Sequence, residues 1–347
     1  MTIDFRSRWD ELKVDGVAAA TPSPSYSFYR PLVQAADEYV HWAQSANDRV
    51  YTGVEALDRE MRGIGKGELT LLNGFSHSGK TLVLMQMLRH NRNKRVIYYC
   101  PDEPWTLTLI KLACVTHGIK GRELERAVAN GDQNAIQILR DVANNDYANL
   151  AVFDQTLNLS EMEKAFHETC DVWSEAPHLV VIDYLDLVTG GGEDIPSKAN
   201  AVKAWGKRHD VPLLVLHQSS RTAGADGKAM TISSGAYGGE QQATHIIGVR
   251  RKLFDVQAQI REMEEKLDRN AASERVMDRL ESLRYEEQVH KFTITVNLVK
   301  NKRVDSDRVP DLDYEIEMGT GRIFPLNNGD LPKQYLAAQR SNSNDQF

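Results

Sequence analysis

Cysteine is scarce in this chain. Three residues in 347 (Cys100, Cys114, Cys170) lie far apart with no CxxC pair. That argues against a disulfide framework or a zinc site and fits a reducing cytosol. No run approaches the ~18 apolar residues of a membrane span, and mean hydropathy is -0.46. Met1-Thr2-Ile3-Asp4-Phe5 lacks a basic stretch followed by an apolar one, so no secretory signal is expected. Aromatics are only 7%. A global excess of positive charge is missing too: the net charge is -7, so any nucleic-acid contact must come from a local basic stripe.

What remains is ordinary globular composition, 41% hydrophobic and 26% charged. The first 25 or so residues, with Thr21-Pro22-Ser23-Pro24, read as a flexible lead-in. Helical spacing from about Pro31 to Ser45 predicts a short separate helix. From Glu68 onward, short apolar runs alternate with helical patterns. Strands are expected at 68–72, 95–99, 150–153, 178–183 and 212–217, with one near 246–249. Helices are expected at about 105–144, 159–174 and 198–209. Such alternation means parallel strands buried on both faces, an α/β doubly wound sheet with ligands at the carboxyl ends of its strands. A strand from Phe292 and a hairpin around Gly319-Thr320-Gly321 follow, and the last dozen residues read as a disordered tail.

One segment differs in kind. Of the 40 residues from Lys252 to Lys291, ten are acidic and eight basic. Leu253, Val256, Ile260, Met263 and Leu267, then Val276, Leu280 and Leu283, form a narrow apolar seam. An antiparallel helical hairpin inserted between two strands is expected, either a self-packed arm or a contact arm for protein or DNA.

Chemistry enters at Gly74-Phe75-Ser76-His77-Ser78-Gly79-Lys80-Thr81, which matches G-x-x-x-x-G-K-[ST] between a strand and a helix. Backbone N–H groups of such a loop cradle phosphate oxygens. Lys80 reaches the β- and γ-phosphates of ATP, and the Thr81 hydroxyl ligates Mg²⁺. Asp183, ending an apolar strand, is the expected acidic partner of that Mg²⁺.

The wider pattern is more specific. Thr52-Gly53-Val54-Glu55-Ala56-Leu57-Asp58 and Gly65-Lys66-Gly67-Glu68-Leu69 precede the loop. Tyr98 to Pro104, Val181-Ile182-Asp183-Tyr184-Leu185-Asp186-Leu187, Leu216 to Arg221, Gly235 to Thr244 and Val299-Lys300-Asn301-Lys302-Arg303 follow in order. The set resembles the RecA-like motor of DnaB-type replicative helicases over about 51–325, the helical arm excepted. The resemblance implies a RecA-like P-loop core with a mainly parallel sheet, a C-terminal β-hairpin and the inserted helical hairpin. Residues 1–50 would be lead-in and linker helix, 51–330 the ATPase domain, 331–347 the tail.

It also implies roles. Glu103 would be the general base, with Asp102 as fallback, and a strand end beside the loop strand would suit it. Gln218 would sense the γ-phosphate. Lys300, with Lys302 or Arg303, would act on the neighbouring subunit's nucleotide; the family spells Lys-x-Arg, this chain Lys-x-Lys-Arg. Loops 189–200 and 220–234, rich in Gly and Ser and free of aromatics, would meet single-stranded DNA by backbone contacts through Lys198, Arg221 and Lys228. The implied protein is an ATP-dependent, homohexameric helicase with a primase or loader as partner. With some 50 residues before the motor it looks like a phage version, and thus one of the host cytoplasm. A RecA/RadA-type recombinase or a KaiC-like switch would share the fold and nucleotide chemistry, and a non-translocating structural or loading protein would bind ATP only to assemble.

Overall fold

The computed structural model describes residues 31–46, 49–155, 158–218, 239–268, 274–327 and 329–344. The chain divides into two units, Met1–Ser45 and Ala46–Phe347. The first contains one described helix, α1 (Leu32–Gln44), entered from Pro31 in an extended conformation. None of its residues is buried, and Tyr39 and Trp42 rings lie 5.6 Å apart on it.

The second unit is built on a nine-stranded sheet. Its strands are β1 (Leu69–Gly74), β2 (Val96–Tyr99), β3 (Leu150–Phe153), β4 (Leu179–Ile182), β5 (Leu213–Gln218), β6 (His245–Arg250), β7 (Thr293–Asn301), β8 (Val309–Glu317) and β9 (Arg322–Pro325). Spatial order is β3-β2-β4-β5-β1-β6-β7-β8-β9. The first six run parallel and the last three antiparallel. β1, β2 and β4 are buried along their whole length, as continuous apolar runs require when helices cover both faces.

The crossovers are helices. After α2 (Glu55–Met61) come α3 (Lys80–His90), α4 (Trp105–His117), α5 (Gly121–Ala129), α6 (Gln133–Asp141), α7 (Leu159–Trp173) and α8 (Ile195–Arg208). Leu72, Val83, Leu84, Leu112 and Leu216 belong to the core on one face; Leu71, Met162, Phe166, Val202 and Trp205 belong to that on the other.

The arm is two helices, α9 (Lys252–Asp268) and α10 (Glu274–His290), between β6 and β7. Val256, Ile260, Leu280 and Leu283 form a core of their own, flanked by Met263 and Leu267. Most of the expected seam is therefore self-packed. Its base is tied to the sheet by Lys252 to Asp313 at 2.5 Å and by the Arg250–Asp311 ion pair.

The expected disordered tail is corrected. Lys333–Asn344 is a helix, α11. Tyr335 is buried with its ring edge-on to Tyr285 at 5.9 Å, and the Gln334 amide oxygen accepts from the Met318 N–H at 3.2 Å. One aromatic and one amide anchor the first turn, which a polar composition does not advertise. The expected loop 189–200 is also shorter. Asp194 caps α8 by accepting from the Ser197 N–H at 2.7 Å, so Lys198 lies in the first turn and a half of a helix.

Candidate functional site

The phosphate loop leaves β1 at Gly74 and enters α3 at Lys80. Two glycines are required by space and conformation. A Cβ on Gly74 would stand 2.4 Å from both the Ser78 Oγ and the Val249 carbonyl oxygen. Gly79 has φ +97°, and a Cβ there would press on Ile294 at 2.4 Å. The Ser78 N–H donates to the Phe75 carbonyl at 3.1 Å, closing the turn.

Lys80 is buried, and its ammonium donates to the Gly74 and Phe75 carbonyls, both at 2.8 Å. Burial pulls its pKa down to about 8, while Asp183 and Asp186 push the other way. Thr81 follows in the first turn of α3. Asp183, one residue past β4, is buried and accepts from the Tyr98 hydroxyl at 2.9 Å through Oδ2. Its Oδ1 is buried with no hydrogen-bond partner among the described residues. Burial raises its pKa to about 6; the Tyr98 bond opposes this and Glu103 adds to it. An oxygen buried without a donor is the arrangement a cation would satisfy, so Asp183 fits the Mg²⁺ expectation.

Glu103 sits in the turn after β2, its N–H donating to the Cys100 carbonyl at 3.3 Å. One carboxylate oxygen pairs with Lys111 of α4, and Oε1 is buried without a partner among the described residues. The expectation of a strand end beside the loop strand is corrected. β4 and β5 intervene between β2 and β1. Glu103 nevertheless shares a charged neighbourhood with Asp183, because β2 pairs directly with β4 and these parallel strands end at one edge. Asp102, the fallback base, is exposed. Gln218 is directly opposite Gly74 in the β1–β5 ladder, and its side chain is exposed.

Lys300, near the end of β7, and Lys302 and Arg303 just after it lie at the other end of the sheet. Asn301 pairs with His245, which pairs with Thr70 near the start of β1. Here the two finger candidates separate. Arg303 is turned inward: its guanidinium meets Glu68 at 2.8 Å and the Met61 and Gly63 carbonyls at 3.3 and 3.4 Å. Lys302 is exposed. Lys300, Lys302 and Lys203 converge on three successive carbonyls of the 239–242 turn. Lys300 donates to Glu240 at 2.6 Å, Lys302 to Gln241 at 3.4 Å and Lys203 to Gln242 at 2.7 Å. Burial and mutual repulsion hold Lys300 and Lys203 below the usual lysine range.

The loop between Gln218 and Gly239 carries Arg221, Lys228 and the Gly235-Ala236-Tyr237 match, and lies outside the described residues. Lys198 donates to the Asp186 backbone carbonyl, and Asp186 in turn pairs with buried His217 at 3.2 Å. The Lys198 side chain is thus partly engaged inside the fold. Two early motifs prove to be built for structure. Asp58 accepts from the Thr52 N–H and hydroxyl and the Gly53 N–H at 2.6, 2.8 and 2.9 Å. Glu68 accepts from the Gly65 N–H at 2.8 Å and from Arg303. No sequence motif marks Lys111 or Lys203, and Tyr98 is marked only as the first residue of the 98–104 segment.

The model of the DnaB-like helicase C-terminal domain matches residues 49–292. The chain belongs to the DnaB-like helicase family. Its fold agrees with two solved helicases at 17% identity. The ATPase domain of a phage helicase superposes with TM-score 0.65, over 86% of this chain and 100% of that one. A DnaB-like replicative helicase solved for its interactions with primase gives 0.62, over 86% and 68%. A search of curated proteins finds no match to this DnaB-like helicase. The family match favours the helicase over the recombinase, switch and loader readings. Among the described residues, no helix is long and apolar enough to cross a membrane.

Proposed function

We propose that this DnaB-like helicase hydrolyses ATP to move along single-stranded DNA as a homohexameric ring, with catalytic sites shared between subunits. The observation that carries the reading is a separation. The phosphate loop stands at the carboxyl end of β1, and the lysine cluster stands at the opposite end of the same sheet. Cations placed so far from their own loop suit the nucleotide of a neighbour.

Within one subunit, the loop N–H groups and Lys80 hold the β- and γ-phosphates. Mg²⁺ held by Thr81 and Asp183 would neutralise phosphate charge when bound. Glu103 takes the proton of the attacking water through its unpaired Oε1, with Lys111 fixing the other oxygen. Gln218, beside Gly74, senses the γ-phosphate. From the neighbour, Lys300 and Lys302 neutralise charge on the transferring phosphoryl group, and Lys203 strengthens the local field. Lys302, rather than Arg303, is the finger.

The DNA contacts are Lys198, Arg221 and Lys228, with Lys198 also bracing Asp186. A primase or loader partner and a site of action in the cytoplasm, the host's if the protein is phage-encoded, complete the reading. Unwinding of 5′- and 3′-tailed forks, with electron microscopy in a non-hydrolysable ATP analogue, tests it. Six-fold rings and ATP-dependent unwinding that is lost in Lys80→Ala are expected. Helical filaments on DNA, or turnover of Lys80→Ala within a factor of two of the parent, would sink it.

A further inference from the structure

Glu163 and His167 occupy one face of α7 at i and i+4 spacing, and His209 caps the end of α8 opposite them. The Glu163 carboxylate lies 3.4 Å from the His167 Nε2 and 2.9 Å from the His209 Nε2. All three ligand atoms fall within 4.8 Å of one another. Among the described residues this is the one such grouping of three His, Cys, Asp or Glu side chains. Donors bonded at about 2.0–2.1 Å in a tetrahedron stand roughly 3.3 Å apart, close to the spacing already present.

Two features make the grouping more than a surface coincidence. Its frame is rigid: Phe166 packs edge-on to Trp205 at 5.2 Å and against His209 at 4.5 Å, and all three rings are largely buried. Its outer side is open, because His167 is exposed. Burial alone would raise the Glu163 pKa, yet its contacts with His209, Trp205 and His167 outweigh it and hold the carboxyl low; a metal would displace any proton shared between the carboxylate and the two Nε2 atoms. The Trp205 indole N–H, 2.5 Å from Oε2, orients the carboxylate as outer-shell donors do in metal sites. Arg208, 4.0 Å away, is a cation that opposes a metal.

We propose that Glu163, His167 and His209 bind a zinc ion, leaving the fourth position to solvent, and thereby clip α7 to the end of α8. Imidazole and carboxylate ligands suffice, so the scarcity of cysteine is no obstacle. His209 precedes β5, whose far end carries Gln218 beside the phosphate loop, so the site is remote from the nucleotide. It stands independently of the helicase reading. A clip there would also fix the helix that carries Lys203.

The test uses the full chain without nucleotide, in excess Mg²⁺ to fill oxygen-rich sites. Zn²⁺ titration by calorimetry is expected to give one ion per chain, and melting temperature to rise by several degrees. Co²⁺ is expected to show the intense visible bands of four-coordination. His167→Ala, at an exposed position that folding does not need, is expected to weaken Zn²⁺ binding at least tenfold and abolish the bands. Glu163→Gln, which keeps an acceptor for Trp205, is expected to do the same. No stoichiometric binding would overturn the proposal. So would binding that both variants retain, since the metal would then sit elsewhere.

Discussion

Replacing Arg303 with methionine keeps the aliphatic stem and removes the guanidinium. In the fold that group closes an ion pair with Glu68 whose side chains are only 16% and 19% exposed. Breaking a fully buried pair costs about 3–5 kcal/mol, because the surviving charge is left unpaired. Residual exposure lowers this to about 2–3 kcal/mol, and the longer bonds to Met61 and Gly63 add little. At about 2–4 °C per kcal/mol, melting falls by about 4–12 °C. A double-mutant cycle with Glu68→Gln isolates the pair, and a coupling of about 1–2 kcal/mol is expected, since the double variant leaves no orphaned charge. Lys302→Met provides the contrast. Among the described residues its ammonium has one hydrogen bond, 3.4 Å from the Gln241 carbonyl, so its melting temperature stays near the parent's while hydrolysis falls steeply. Calorimetric melts and phosphate-release assays on the same preparations decide the matter. Arg303→Met that melts with the parent yet has lost hydrolysis would refute the assignment, making Arg303 the finger and its contacts with Glu68 incidental.

Other expectations concern the nucleotide site. Glu103→Gln should keep nucleotide binding and lower turnover by roughly 10²–10⁴, measured at saturating ATP; if only Asp102→Asn does so, the base is one residue earlier. Mixing Lys302→Ala with Lys80→Ala subunits should restore part of the ATPase, because some interfaces regain both good halves; mixed rings without recovery would show that the lysine acts in cis. Asp183 has a folded pKa of about 6 against 3.8 when unfolded, so the stability tied to its proton is present below about pH 4 and lost as pH rises through 6. Asp183→Asn does not titrate there. In melts without divalent metal it should gain on the parent between pH 4 and 7, and a relative loss over that range would contradict the burial argument.

The phosphate loop, the strands and the arm were legible because each is written locally. A loop motif needs eight adjacent residues, a buried strand needs four apolar ones, and the seam of the arm repeats along its own helices. What was misread depends on partners distant in the chain. Strand order is invisible from β2 alone, so Glu103 was set next to β1 although β4 and β5 lie between. Arg303 and Lys302 are adjacent cations in sequence; only Glu68, 235 residues away, tells them apart. The helix at 333–344 depends on Tyr285 and Met318, neither of which a scan of the tail would consult. Lys198 is the local exception: the helix that carries it starts earlier than its apolar spacing suggests, because Asp194 caps it.

The placement of the arm bears on how such a motor diversifies. Its two helices leave from β6 and return to β7, neighbours in the sheet, so the chain departs and re-enters at nearly one point. Lengthening a connection between fixed ends costs only about 0.6 kcal/mol per doubling. Each helix of 17 residues projects about 25 Å. The arm also brings its own apolar core, so neither covering of the sheet was redesigned to accept it. Lineages can therefore graft, trim or exchange this projection while the catalytic edge is inherited intact. New contacts can evolve on it at a distance from the chemistry.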